Sequence, residues 1–244
     1  MIYVMSDIHG NSRNFDSVMT QIDLQPEDTL YVLGDVIDRY PDGIRILRRI
    51  MKMPNAKMLL GNHEYMMLEA LDSPFDPIQD WMDYIQNLRQ WYDNGGRVTH
   101  EYLKHIRKAI RTEIFAYLRA CPLNIDLEVN GRKFKLAHAS PLDRYEFYGA
   151  HYRNAIEFAV WHRWHPDRDT HPDGYTLIFG HTPTYHYQRQ ELLELWYSED
   201  GKSIAIDCGS GFPSAEEQRS VSPKTGRLAC LRLDDMAVFY SETL

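Results

Sequence analysis

An α/β fold, with two mixed β-sheets packed as a sandwich and flanked by helices, is predicted by three features of the sequence. Short apolar runs alternate with helix-periodic segments as far as residue 60, the pattern of parallel strands joined by helical crossovers. Residues 65 to about 120 keep helical periodicity without a clear strand, and from Leu123 onward the short apolar runs return. A length of 244 residues suffices for one sizeable core, so a single domain over 1–244 with a helical insertion at about 65–120 is expected.

The elements follow in order. The run IYVM at residues 2–5 is the first strand. Asn11 and Ser12 then precede Phe15, Val18, Met19 and Ile22, an i, i+3, i+4, i+7 set with polar caps at its start, and Pro26 closes that helix. Residues 29–33 form the second strand, Ile44, Leu47, Ile50 and Met51 mark a second helix stopped by Pro54, and residues 57–60 form the third strand. Within the insertion, Trp81, Tyr84, Ile85, Leu88, Trp91 and Tyr92 form one stripe, and Leu103, Ile106, Ile110, Ile114 and Tyr117 form another, joined through Asn94-Gly95-Gly96. Such stripes are expected to be mainly core, with a few members free to line a substrate groove beside His63. Next come a hairpin over 124–137 turning at Asn130-Gly131, a helix over about 151–161, and strands near 176–179, 203–207, 228–233 and 237–240. Segments 165–174 and 212–225, rich in Pro, Asp, Ser and Gly, are expected to be mobile surface loops.

Composition narrows the function classes. A formal net charge of -8, with no Lys/Arg block, argues against nucleic acid and anionic membranes as partners. Three scattered cysteines, Cys121, Cys208 and Cys230, fit reduced thiols and no zinc ribbon. No charged-then-apolar leader and no run of about eighteen apolar residues is visible, so a cytoplasmic location is expected.

Five polar blocks each follow an apolar run: Asp7-Ile-His9, Gly34-Asp35-Val-Ile-Asp38-Arg39, Gly61-Asn62-His63-Glu64, Ala137-His138 and Gly180-His181. Their polar residues therefore emerge where strands end, which is where open α/β sheets place ligands. Carboxylate, imidazole and amide donors suit manganese, iron, zinc or cobalt alike, with manganese the first expectation. Two such cations, an arginine fork and a protonated histidine together answer the difficulties of phosphoester hydrolysis: charge repulsion, orientation and a basic leaving group. His100, His105, His151, His165, His171 and His186 lack such surroundings and are expected to be ordinary core or surface residues.

These motifs closely resemble the calcineurin-like metallophosphoesterase superfamily, and within it the phosphoprotein (serine/threonine) phosphatase family of bacterial type. The resemblance implies that Asp7 and His9 bind a first metal, that Asp35 bridges, and that Asn62, His138 and His181 complete a second. It further implies in-line attack by a bridging hydroxide, with His63 as acid, Asp38 as its partner and Arg39 holding phosphoryl oxygens. Arg163, in the segment Trp161-His162-Arg163-Trp164, is the expected second clamp. Tyr40 stands where the family's block usually has glycine and is expected either to pack against the turn at 41–43 or to narrow the substrate mouth; the eukaryotic S-A-P-N-Y segment is absent. Phosphoserine and phosphothreonine in proteins are the leading expected substrates, with small phosphoesters beside them. A symmetrical dinucleoside tetraphosphatase is the rival reading, disfavoured by Asp38 and Glu64, since those enzymes tend to replace that Asp and to carry G-N-H-D. A non-catalytic metal-binding scaffold is a further alternative, which the complete ligand set argues against. Oligomeric state is not legible.

Overall fold

The computed structural model describes residues 1–72, 81–165, 168–170, 174–188, 192–213 and 226–242. The N-terminal half runs β1 (Ile2–Met5), α1 (Ser12–Ile22), β2 (Thr29–Val32), α2 (Gly43–Ile50), β3 (Ala56–Met58) and α3 (Asn62–Leu71), followed by α4 (Trp81–Asp93), α5 (Arg97–Lys104) and α6 (Lys108–Arg119). The remainder runs β4 (Asn124–Val129), β5 (Arg132–Ala137), α7 (Tyr145–Tyr148), α8 (Ala155–Trp161), β6 (Thr176–Phe179), β7 (Trp196–Tyr197), β8 (Ser203–Ala205), β9 (Ala229–Arg232) and β10 (Val238–Tyr240). One sheet has the order β10-β9-β1-β2-β3 and the other β4-β5-β6-β8-β7. In the first, β1, β2 and β3 are parallel out to one edge and β9 and β10 add antiparallel at the other; in the second, β5, β6 and β8 are parallel and β4 and β7 flank them antiparallel.

Strand alternation decides which side chains face which layer. Val4 and Tyr31 of the first sheet meet Phe134, Leu136, Ile178 and Ile204 of the second, and that cluster is the sandwich interior. Their neighbours Met5, Leu30 and Val32 turn the other way, onto Phe15, Val18 and Ile22 of α1 and Ile44, Leu47 and Ile50 of α2. Each of these fully buried apolar side chains contributes about 1.5–3 kcal/mol by leaving water. Asn11 caps α1 by accepting the Asn14 N–H at 3.1 Å, as its position before the apolar stripe predicts. Asn130 and Gly131, at φ 50° and 77°, make the tight hairpin turn between β4 and β5.

Several elements differ from expectation. The third strand is followed at once by α3, so Asn62 and His63 sit in the first turn of a helix instead of on a strand end. The second insertion stripe is two helices, because Arg107 adopts extended backbone (φ -60°, ψ 143°) between α5 and α6. The helix expected from 151 starts at Ala155, capped by the Asn154 side chain, and the two-residue β7 was too short to show a period. The core reading of the first stripe holds only for its C-terminal half: Trp91 is fully buried with Leu88 and Tyr92 beside it, whereas Trp81 is 71% and Ile85 42% exposed. There α4 has left the core, and Trp81 stacks on Tyr84 instead, with ring centroids 5.2 Å apart. Of the two expected mobile loops, residues 166–167, 171–173 and 214–225 lie outside the described residues. Among the described residues no helix is long and apolar enough to cross a membrane.

Candidate functional site

The loops that leave β1 and β2 run on side by side beyond the strands. The N–H groups of Asp7, His9 and Gly10 donate to the carbonyls of Gly34, Asp35 and Val36 at 3.2, 2.9 and 2.7 Å. Within them the backbone is forced into the left-handed region at Asp7, His9, Asp35, Asp38 and Arg39, and His181 joins them, with φ between 52° and 72°. For residues other than glycine this costs on the order of 1–3 kcal/mol each, and the surrounding hydrogen bonds hold it in place. Glu64, in the first turn of α3, supplies much of that restraint. Its buried carboxylate accepts the N–H groups of Asp35 and Val36 at 2.9 Å and of Ile37 at 3.2 Å.

The side chains so aimed converge. Asp35 Oδ2 lies 3.7 Å from His9 Nε2, while its Oδ1 lies 3.5 Å from His138 Nε2 and accepts the His63 N–H at 3.0 Å. Asp7 Oδ1 is 3.8 Å from His9 Nε2, and its carboxylate accepts the His181 N–H and the Ser6 hydroxyl. Asn62 Oδ1 faces His138 Nε2 at 2.9 Å and His181 Nδ1 at 2.8 Å. Close approach explains two of the glycines in the blocks. A Cβ on Gly61 would fall 2.3 Å from Asp35 Oδ1, and one on Gly180 would fall 2.2 Å from Asp7 Oδ2.

This donor set fits two adjacent cations sharing Asp35. Two groups of potential ligands, His9 with Asp35 and Asp35 with His138 and His181, lie within metal-holding distance. His138 donates its Nδ1–H to the Leu33 carbonyl at 2.8 Å, and His9 Nδ1 faces the Ile37 carbonyl at 3.2 Å. Each therefore turns a lone pair on Nε2 inward, the orientation that outer partners impose on metal-binding histidines. A lone pair on His138 facing the Asn62 oxygen at 2.9 Å is an arrangement that a cation between them would stabilise. Burial, with the charges of Arg39 and His63, lowers the His9 pKa well below the ordinary value; burial and His138 do the same for His181, leaving both rings neutral. Burial pushes Asp35 toward its neutral form, but the surrounding imidazoles, His138 first and then His63, outweigh it and its pKa is lowered. Asp7 is raised by burial and by Asp35, two crowded carboxylates that cations would relieve.

His63 also lies within reach of His9 and Asp35, but its Nδ1 is committed elsewhere. Nδ1 is 2.7 Å from Asp38 Oδ2, and Nε2 faces Arg39 Nη2 at 3.4 Å. Burial alone would favour loss of its proton, yet the charge of Asp35 and the hydrogen bond that His63 donates to Asp38 prevail and raise its pKa. It is better placed as a proton carrier than as a ligand. Arg39 and Arg163 are both exposed, and neither has a carboxylate partner among the described residues. The charge of Arg163 is among the causes lowering the His181 pKa, and Trp161, two residues before it, packs edge-on against His181 with ring centroids 5.8 Å apart. Tyr40 is half-buried and donates its hydroxyl to the Phe212 carbonyl at 2.7 Å, tying the second loop to the segment after β8.

That segment was missed in the sequence. Asp207 is buried behind Asp7, with a pKa raised well above the usual range by burial and by Asp7, and its Oδ1 accepts the Gly209 N–H. Ser210 donates to the Ile8 carbonyl and accepts from Asn14. The available signal was the same as for the five blocks, an apolar run (SIAI) opening into Asp-Cys-Gly-Ser-Gly.

A model of the calcineurin-like phosphoesterase family matches residues 1–206, spanning all of the converging side chains up to His181. The chain belongs to that family. The metallophosphoesterase is 30% identical over 191 residues, 74% of its chain and 78% of the relative, to serine/threonine-protein phosphatase 2 of Salmonella typhimurium. It is 37% identical to a symmetrical bis(5'-nucleosyl)-tetraphosphatase of Photorhabdus laumondii, but over only 68 residues, 27% of this chain and 25% of that one. A crystal structure provisionally described as a diadenosine tetraphosphatase superposes with a TM-score of 0.61 at 18% identity, covering 98% of this chain and 91% of that one, and shares the fold. The metallophosphoesterase is thus a metal-dependent hydrolase of phosphoric esters, in a family whose centres hold two metal ions.

Proposed function

We propose that this metallophosphoesterase hydrolyses phosphomonoesters, phosphoserine and phosphothreonine in proteins foremost. The observation that carries the reading is the His63–Asp38 pair at 2.7 Å, both residues fully buried. A serine or threonine leaves as a basic alkoxide, which needs a proton as the P–O bond breaks; a nucleoside diphosphate leaving from a dinucleotide is stable as an anion and needs one far less. An acid with its own carboxylate partner fits the first substrate better. The longer match to a protein phosphatase supports the same choice.

In this reading Asp7, His9 and Asp35 would hold one divalent cation, and Asp35, Asn62, His138 and His181 the other. Bound there, the pair supplies Lewis acidity toward the phosphoryl oxygens and toward water. Manganese is the metal proposed; the donor set, which has no thiolate, also suits iron, zinc or cobalt. Arg39 and Arg163 grip phosphoryl oxygens and orient phosphorus for in-line displacement. His63, kept protonated and aimed by Asp38, delivers its Nε2 proton to the departing oxygen. Turnover of a phosphoserine peptide, p-nitrophenyl phosphate and diadenosine tetraphosphate under one manganese concentration tests the assignment. A kcat/KM for the dinucleotide orders of magnitude above the peptide's would overturn it.

A further inference from the structure

The helical insertion reaches the carboxylate partner of the acid. Trp91, in the last turns of α4, is fully buried, and its indole N–H donates to Asp38 Oδ2 at 2.8 Å, the same oxygen that receives His63 Nδ1. Asp38 Oδ1 has no hydrogen-bond partner among the described residues, so Oδ2 alone sets the rotation of the carboxylate. A carboxylate oxygen carries two lone-pair directions, and with the indole on one, a single orientation leaves the other for the imidazole. The chain after α4 completes the grip. The Gly95 carbonyl accepts the Arg39 N–H at 3.2 Å, and Thr99 Oγ1 accepts the Asp38 N–H at 3.1 Å, restraining two residues held at φ 66° and 72°. Gly96 lies so close that a Cβ there would fall 2.3 Å from Trp91 Nε1, leaving the indole no room to shift toward it.

We propose that Trp91 is a positioning residue for phosphoester hydrolysis: its N–H fixes the Asp38 carboxylate, and through it the aim of His63 at the leaving oxygen. A residue that merely fills the core would act equally on all substrates. A residue that aims the acid acts most on substrates whose leaving group needs the proton. The inference rests on the acid role proposed above for His63, so the test includes that residue.

The experiment compares kcat for p-nitrophenyl phosphate and phenyl phosphate in the manganese-loaded protein. Phenol is the poorer leaving group, so the ratio of the two rate constants rises when proton delivery fails. Trp91→Phe removes the N–H, and β-(3-benzothienyl)alanine incorporated at position 91 removes it while keeping the bicyclic shape, which covers a folding failure of the first variant. The ratio is expected to rise about 10-fold in both, part of the roughly 10²–10⁴-fold that general acid catalysis supplies, with KM little changed. His63→Asn should raise it further. A raised ratio in His63→Asn with an unchanged ratio in the position-91 variants overturns the role of Trp91 alone. An unchanged ratio in His63→Asn overturns the acid role, and the proposal with it.

Discussion

Replacing Gly180 by alanine tests whether Asp7 is a metal ligand, and the structure sets the size of the effect. The backbone at Gly180 does not have a positive φ, so alanine carries no conformational penalty there. The obstacle is space. The new Cβ would sit 2.2 Å from both Asp7 Oδ2 and Ser6 Oγ, where ordinary contact begins at 3.4 Å, so one side must retreat by about 1 Å. Asp7 is poorly able to yield, being held by its N–H to Gly34, by the Ser6 hydroxyl at 2.5 Å and by the His181 N–H. Metal–ligand distances tolerate only about 0.2 Å, so the first cation site should lose a properly placed carboxylate. Its affinity for manganese is expected to fall about 10–100-fold, the usual consequence of disturbing a ligand from behind. The overpacking should cost the metal-free fold about 1–3 kcal/mol. Chelator-competition titration measures the first quantity and urea unfolding the second. Gly201→Ala is the control: its φ of 69° strains alanine, but nothing lies within 4 Å of the new Cβ, so metal affinity should not move. A folded Gly180→Ala protein with wild-type manganese affinity would refute the placement of Asp7 in the metal shell.

Three other outcomes are expected. Arg39→Ala and Arg163→Ala should each lower kcat/KM for an aryl phosphate about 10–100-fold, from loss of a charge-assisted hydrogen bond worth about 1.5–3 kcal/mol, with lysine restoring little; steady-state kinetics on Arg163→Ala at wild-type level would remove that residue from the clamp. Burial and Asp35 raise the Asp7 pKa in the metal-free protein, and a cation needs the ionised carboxylate, so manganese binding should release protons and weaken as pH falls through that raised value; calorimetry in buffers of different ionisation enthalpy near pH 5 would contradict this by showing no proton release. Trp81→Gln should change unfolding free energy by no more than about 0.5 kcal/mol, whereas Trp91→Ala should cost about 3–5 kcal/mol; equal effects in urea denaturation would show that the exposure of Trp81 had been misread.

How legible the site was in the sequence depended on whether a residue belongs to a short block after an apolar run. Asp7, His9, Asp35, His138 and His181 do, and strand ends in a parallel arrangement point to one edge, so the order of the blocks implied a shared site. Asn62 and His63 were found for the same reason even though they begin a helix. Trp91 and Thr99 could not be found this way, because the stripe that holds Trp91 looks like ordinary helical core, Thr99 lies in no block or stripe, and their contacts with Asp38 span 53 and 61 residues. Trp81 misled for the complementary reason: periodicity records which residues share a helix face and not how far along the helix the core extends. Asp207 carried the right local signal, yet its block, Asp-Cys-Gly-Ser-Gly, held no histidine or asparagine to mark it as part of the same site.

The sequence by itself determined the reaction class, since the number, type and order of metal-capable residues are local properties that survive without coordinates. It also determined the α/β alternation, because burial imposes a period of two on strands and 3.6 on helices. Only the tertiary structure decided what holds those residues in working geometry: six site residues in left-handed backbone, Glu64 bonded across three amides, and Trp91 pinning Asp38 from within an apparent insertion. Such restraints depend on contacts between distant segments at ångström precision, and no local pattern encodes a distance.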